Sequence, residues 1–426
     1  MKSLVLIFLA AAIIRCWIIT SSYKEQISLR IEVSTPVNSI HRVIESCYRA
    51  DLGVDPYSSD IFHESPLHLV FYQFLITNFG DYLPFVFIFV DLLIALLLFN
   101  MAKNYIFYLY IEQELKGDEY MYTDKELVLN GYDYISTPKY VLIAYLFNPY
   151  VIANCVGCTT ATFLNLSYAI FLFGISYGSI LFPVVALVLC STQALYPIVL
   201  ISPLYLSIAK FNGSKLAFIS LVSFLICLAT FFAVCNIIND GWEFIDKSYG
   251  FILGVTDQQP NIGVYWYFFM EMFEHFRQLF LYSYQINVSL LYCVPLTIKF
   301  RKDPVLLAFT FITLTAIFKS YPGIGDFAFT LAVLPCWKYM YNCMQQIFVS
   351  GVAIFITTAL GPILWDLWIF MGTANANFYF GTTLAFVTAF IFILTDVAFA
   401  YSKKEYLLRF GSIRKINGKN AKLVLE

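Results

Sequence analysis

Apolar residues fall in long blocks along this chain, with short polar stretches between them. The blocks lie at about 4–19, 67–79, 83–101, 138–153, 158–177, 180–193, 195–209, 216–238, 278–298, 304–320, 326–342, 345–363 and 378–400. A helix needs about 20 such residues to cross a hydrocarbon core. Asn148-Pro149, Gly178, Tyr196-Pro197, Lys210–Lys215 and Pro322-Gly323 supply the turns. The block at 67–79 is short and reads as a partial insertion or a helix packed inside a bundle. The pattern predicts an all-α, polytopic membrane protein with about twelve transmembrane helices. It forms one multi-span domain over residues 1–426.

Lys2 and Ala10-Ala11-Ala12 give the first block some features of a signal peptide. The block continues through Ile13, Ile14, Cys16 and Trp17 without a small-x-small end, which favours an uncleaved anchor.

Basic residues near the span ends set the orientation. With Lys2 in the cytosol, Lys210, Lys215, the loop Lys299-Phe300-Arg301-Lys302 and the tail at 401–426 are cytosolic too. The acidic loop at about 112–137 joins them. The loops at about 21–63 and 239–277 are then luminal, as are the turns near 321–326 and 364–377. The sequons at Asn165, Asn212 and Asn287 fall within spans or on the cytosolic side, so they carry no glycosylation signal.

Composition agrees with lipid as the solvent. Hydrophobic residues make up 60% and charged residues 13%, and mean hydropathy is +0.73. A soluble domain carries about 25% charge and 45–50% apolar residues. Aromatics reach 19%, with 43 Phe and 31 Tyr. The net charge of −2 gives no field for nucleic acid. Cys155 and Cys158 form a CxxC with no second pair, so they read as packing residues rather than a zinc site.

Polar residues among apolar and aromatic ones are the candidates for function, because burial there is costly. Four clusters stand out. Asp55-Pro56-Tyr57 precedes Phe62-His63-Glu64-Ser65-Pro66-Leu67-His68. It is either a proline-ordered turn or a headgroup contact. The spacing of His63 and His68 fits no helical ligand pair. Trp266 to Arg277 holds Glu271, Glu274 and His275 on one helical face, either the solvated side of an interfacial helix or a run able to bind a metal or do acid–base work. Lys319-Ser320-Tyr321-Pro322-Gly323 ends in Asp326, so Lys319 and Asp326 either pair locally or Lys319 meets a lipid phosphate. Trp365 and Trp368 mark an interface ahead of Asn375, Asn377 and Tyr379. The two amides suit either helix capping or phosphate and sugar hydroxyls. No phosphate loop and no Ser/His/Asp or Cys/His constellation accompanies them, and no cofactor or metal is called for.

Taken together, Gly53–Tyr57 with the Pro66 region, Tyr249–Arg277, Ile317–Asp326 and Trp365–Tyr379 resemble the U subunit of the GPI transamidase, the PIG-U family. The stretch from Trp266 to Phe276 is the most specific. The resemblance implies a multi-pass protein of the endoplasmic reticulum membrane. It implies a complex that replaces a C-terminal signal peptide with a GPI lipid. Another subunit would supply the cysteine-protease-like thiol, and this one would be non-catalytic, binding and presenting the GPI glycolipid. It also implies a glycosyltransferase-C-like architecture, shared with multi-span GPI mannosyltransferases. Those enzymes carry an Asp-x-Asp in the first luminal loop; here Asp51 and Asp55 are spaced differently. The stretch Asn154-Cys155-Val156-Gly157-Cys158-Thr159 lacks the arginine of their second motif. An active dolichol-sugar-dependent mannosyltransferase and a lipid transporter are the alternatives. The implied lipid-binding residues are Asn375, Asn377, Trp365, Trp368, Lys319, Tyr321, Asp326, Glu271, His275, Asp55 and Tyr57.

The orientation makes one direct prediction. Protease added to intact microsomes should trim a tag fused after Glu426, because the basic tail resists translocation. Full protection of the tag would reverse the topology.

Overall fold

The computed structural model describes residues 2–117, 127–286, 291–410, 414–416 and 419–421. The Asn287 sequon, the acidic run from Asp118 to Glu126 and Lys422 lie outside the described residues. The chain is helical nearly throughout, with one short antiparallel hairpin pairing Arg414–Ile416 with Lys419–Ala421.

The first apolar block is α1 (Lys2–Ile19). The polar stretch after it contains two helices, α2 (Tyr23–Ser28) and α3 (Ile40–Asp51). Pro66 opens α4 (Pro66–Phe79), and Pro84 sits in the first turn of α5 (Leu83–Leu115). Proline suits a first turn because its missing N–H would be unpaired there anyway. Asn130 and Asp133 form a capping box on α6 (Gly131–Leu146). Asn148-Pro149 then breaks the run and α7 (Pro149–Val156) leaves at 49°.

Next come α8 (Ala161–Tyr177), α9 (Leu181–Gln193), α10 (Ile201–Asn212) and α11 (Ser214–Asn239). Short turns α12 (Glu243–Ile245) and α13 (Phe251–Gly254) lead to α14 (Tyr265–Met270) and α15 (Glu274–Ile286). The chain ends with α16 (Cys293–Lys299), α17 (Pro304–Phe318), α18 (Ile324–Val333), α19 (Ile347–Ile369) and α20 (Ala376–Phe410). The expected span at 326–342 is also divided: it runs from α18 into a 3-10 helix, Leu334–Cys343, kinked at Trp337.

Among the described residues, four helical runs are long and apolar enough to cross a membrane: Pro66–Leu115, Ser214–Asn239, Ile347–Ile369 and Ala376–Arg409. The bent pair α6–α7 makes a fifth if it counts as one span. Leu4–Ile19, Ala161–Tyr177, Leu181–Gln193 and Pro304–Phe318 are apolar but shorter. The core is centred on α17, buried from Pro304 to Ile317, and on α8. By contrast α11 and α19 leave large apolar side chains such as Leu225, Ile226, Phe348 and Phe355 exposed.

A charge pair is buried in this bundle. The Arg15 guanidinium meets Asp91 Oδ2 at 2.6 Å and 2.7 Å and donates to the carbonyls of Ala11 and Leu146. Tyr145 donates to Asp91 Oδ1 at 2.7 Å. The pair therefore ties α1, α5 and α6 together.

At one end of the bundle basic and acidic groups from the ends of α5, α10 and α20 and from the turn before α17 meet. Lys210 lies 3.5 Å from Glu112 and donates to the Lys302 carbonyl, and Lys302 lies 3.6 Å from Glu405. At the other end a strap from Leu29 to Ser39 crosses the helix tips. The Ile324 N–H donates to the Glu32 carbonyl at 2.8 Å, and the Thr160 N–H to the Asn38 carbonyl at 3.0 Å. Below the strap the chain packs too tightly for a side chain at Gly325, where a Cβ would lie 2.2 Å from Asn154 Oδ1.

Arg15→Met leaves Asp91 buried without its cation and should cost about 3–5 kcal/mol. The double variant Arg15→Met/Asp91→Leu should recover most of the loss. Thermal unfolding in detergent decides; a double variant no better than the single one would deny that the pair acts as a unit.

Candidate functional site

The strapped end gathers residues from all four polar clusters. Trp266, from α14, stacks with Trp368 at 6.3 Å and meets Tyr379 at 6.2 Å and Phe380 at 5.8 Å. Trp365 packs on Trp368 and Tyr379, both at 5.4 Å. The last turn of α19, the start of α20 and α14 thus form one aromatic wall. Trp266 is buried and its indole N–H has no hydrogen-bond partner.

Beside this wall lies a cavity of ≈ 230 Å³, lined mainly by apolar side chains, including Tyr150, Ile262, Ile324, Pro362 and Phe386. Arg30, Glu32 and Tyr379 form its polar margin. Arg30 pairs with Glu32 at 3.3 Å and with Asp366 at 3.4 Å, and Tyr379 donates to Glu32 at 3.3 Å. One Arg30 nitrogen, Nη2, is buried without a partner. This is an amphiphile's geometry: an apolar slot with a guanidinium and two carboxylates at its mouth.

A second group of residues lies beneath the strap. Lys319 pairs with Asp326 at 2.5 Å, and Asp326 accepts from the Gly323 N–H at 2.9 Å. Phe251 is stacked between His63, at 3.4 Å, and Tyr321, at 5.0 Å. Tyr321 accepts from the Asp257 N–H, and Ser320 donates to the Ile252 carbonyl. Tyr57 is buried and donates to the Glu64 carbonyl at 2.8 Å, while Asp55 accepts from the Tyr57 N–H. Lys319, Tyr321 and Glu64 share a polar chamber of ≈ 40 Å³ with Thr35, Asn38 and Thr160. Burial holds the His63 imidazole below its ordinary value, and burial pushes the Glu64 carboxyl up to about 7. Tyr72 and Thr160 hydroxyls approach Glu64, but neither of its oxygens has a partner in hydrogen-bond geometry.

The structure sorts the sequence candidates. Trp365, Trp368 and the Trp266 segment come together, a convergence invisible in the linear order. Lys319 and Asp326 take the local-pair reading. Asn375 is exposed and accepts from the Asn377 N–H at 3.1 Å at the start of α20, so it acts as a cap. Asn377 is exposed beside it. The shared face of Glu271, Glu274 and His275 does not form. The helix breaks between Met270 and Glu274, because α14 stops where its aromatics reach the wall. Glu271 and His275 are exposed, and His275 packs on Phe276 at 4.1 Å. The sequence singles out neither Arg30 nor Asp366, whose signal is charge next to a predicted membrane surface, and it holds Glu64 in the first cluster without choosing it as a site residue.

The sequence matches the family model described as GPI transamidase subunit PIG-U over residues 9–386. It is 36% identical to "GPI-anchor transamidase component PIGU" of Homo sapiens and of Cricetulus griseus, over 99% of each chain. It is 26% identical to "GPI transamidase component GAB1" of Saccharomyces cerevisiae, over 90% of each chain.

Glu64 gives the chamber a pH signature. Its folded value of about 7 stands above the ordinary 4.5, so the folded state holds this proton more tightly. The stability it contributes is full below about 4.5 and is lost as pH rises through about 7. Glu64→Gln should remove that part of the pH dependence in the delipidated protein. Identical stability profiles for the two proteins between pH 4.5 and 8 would show that Glu64 is not held neutral.

Proposed function

Because the chain belongs to the family of GPI transamidase subunit PIG-U, we propose that it binds the GPI glycolipid and presents it for attachment to protein C-termini. The observation that carries this is the joining of an aromatic wall, a charged mouth and an apolar cavity at one end of the bundle. Acyl chains fit the cavity between α7, α19 and α20. Phosphate and sugar hydroxyls fit Arg30, Glu32 and Asp366 at its mouth. Trp365, Trp368 and Tyr379 supply flat surfaces at the depth where rings favour the membrane–water boundary.

In this reading the subunit is non-catalytic and works by raising the local concentration of the GPI lipid and fixing its orientation. The cysteine-protease-like thiol belongs to another subunit of the complex. The domain sits in the endoplasmic reticulum membrane, with the strapped end in the lumen and the Lys210–Lys302–Glu405 end in the cytosol. The shorter apolar helices bring the passes to about twelve, in a glycosyltransferase-C-like arrangement. The exposed apolar faces of α11 and α19 are available to lipid or to partner subunits. Lys319, Tyr321, Asp326, Asp55 and Tyr57 support the site from beneath the strap. Asn375, Asn377, Glu271 and His275 are exposed and are assigned to its solvent side.

Gentle isolation of the chain followed by identification of co-purifying proteins and lipids tests the reading. A complex carrying no GPI lipid, from cells that make it, would overturn it. Within the site, Asn377→Lys places a cation where the ethanolamine of the lipid arrives. It should reduce anchored proteins at the cell surface while the complex still assembles. Asn375→Asp keeps the cap and should be neutral, whereas Asn375→Ala should cost about 0.5–2 kcal/mol through the cap alone. Normal GPI content in the Asn377→Lys complex would remove this segment from the site.

A further inference from the structure

The widest cavity described lies elsewhere, between α4, α8, α9 and α11. It measures ≈ 550 Å³ and is lined by Leu67, Phe71, Phe163, Leu166, Leu189 and Phe231 among others. That is within the range of about 300–1,000 Å³ typical of ligand pockets. Its rim carries Val70, Phe71 and Phe74, exposed residues on the outer face of α4, so it opens sideways. The neighbouring α11 is itself an exposed apolar helix. A cavity so lined holds hydrocarbon rather than water.

The inner end of this slot is polar. Gln193 lines both the slot and the ≈ 40 Å³ chamber of Glu64, and Tyr72 lines the slot beside Glu64. The chamber has room for about three water-sized groups. Three of its side chains are more than nine-tenths buried and hold polar atoms with no hydrogen-bond partner: Thr35 Oγ1, Asn38 Nδ2 and both carboxylate oxygens of Glu64.

Glu64 differs from the other buried carboxylates among the described residues. Asp91 has Arg15 and Tyr145, and Asp303 has Tyr105 and the Leu306 N–H. Asp326 has Lys319 and the Gly323 N–H, and Asp396 has the N–H groups of Gln345 and Gln346. Glu64 has no ion pair and no hydrogen bond of comparable geometry. A buried carboxylate without a cation is costly: burial makes Glu64 hold its proton when the chamber is empty, and an ammonium is the group that can take the proton's place.

We propose that this slot and chamber form a second lipid site, for an ethanolamine-headed phospholipid of the surrounding bilayer. The protonated amine pairs with Glu64 and donates to Thr35. One acyl chain lies in the slot between α4 and α11. Asn38 and the donors that Lys319 keeps beyond its pair with Asp326 face the phosphate. A bilayer lipid is the occupant because the slot opens through the apolar flank of the bundle rather than at the strapped end. The site is separate from the aromatic one and does not depend on it.

The test measures lipids retained by the purified full-length protein after exchange in nanodiscs, read by native mass spectrometry. The probes are phosphatidylethanolamine, its N-acetylated derivative and phosphatidylcholine with matched chains. Wild type should keep the ethanolamine lipid about ten- to hundredfold better than the N-acetylated one, the worth of a charge-assisted hydrogen bond. Glu64→Gln should erase that preference. Val70→Trp, at the exposed rim, should lower retention of all three lipids. The comparison among probes on wild type needs no variant to fold. Equal retention of the three probes by wild type would overturn the proposal, as would an undiminished preference in folded Glu64→Gln. Displacement of the ethanolamine phospholipid by equimolar GPI lipid would overturn the choice of occupant. Loss of GPI-anchored protein from Trp365 or Trp368 variants, with this preference intact, would report on the aromatic site alone.

Discussion

The pairing of Arg15 with Asp91 is the constraint around which the rest of the helix bundle is arranged. A lone charge at that depth is prohibitively costly, so the two must meet, and every remaining polar atom needs a partner. The backbone provides one of them. Asn148-Pro149 ends α6, and the Tyr150 N–H turns to the Asn148 side chain at 3.0 Å instead of reaching back to Leu146. The Leu146 carbonyl is then left to accept from Arg15 at 3.0 Å. A proline break, which looks like a simple turn signal, therefore completes a buried ion pair 131 residues away. Fixing α1 against α5 and α6 also fixes where the chain emerges to form the strap.

The strap in turn divides the functional end. On one side Glu32 and Arg30 reach the aromatic wall through Tyr379 and Asp366. On the other, Thr35 and Asn38 face the chamber of Glu64 and Lys319. The Pro322-Gly323 turn lies against the strap, with the Ile324 N–H bonded to Glu32 and a Gly323 Cβ position only 2.9 Å from Asn38 Nδ2. A lipid that moves the strap on one side would shift donors and acceptors on the other. Such sharing gives the two proposed lipid sites a physical route to sense each other.

Much of this was legible in the sequence, and the limits have physical causes. The apolar blocks fixed the helices well, because lipid solvation demands long apolar runs. The local features also survived: the break at Asn148-Pro149, the Lys319–Asp326 pair and the Asn375 cap all act over a few residues. What failed was tertiary. Arg15 and Asp91 hide inside apolar blocks and have meaning only once paired. Trp266 and Trp368 are distant in the chain, and nothing local announces that they stack. The helix expected through Glu271 and His275 breaks because aromatic packing by Trp266 and Tyr267 outweighs a favourable i, i+4 pattern. Glu64 lay in a quoted cluster but looked like part of a turn, since its lack of a cation depends on what surrounds it in three dimensions.

The way the acids are held also bears on what the protein does. Transfer of a sugar needs a base or an electrostatic clamp aimed at the reacting centre. Asp55 is engaged as a cap on Tyr57, and Asp51 accepts from Gln73 at 3.1 Å. Asp326 is held by Lys319 and the backbone of its own turn, while Asp366 and Glu32 are both drawn to Arg30. These carboxylates organise backbone and neutralise cations; none is left beside a nucleophile. Glu64 is the exception, and it faces a small chamber, ≈ 40 Å³, that it shares with Thr35, Asn38 and Lys319. Charges arranged to be met by a ligand's charges, next to cavities that match hydrocarbon, give binding and orientation. They support the reading of a subunit that holds lipid and leaves bond exchange to a partner.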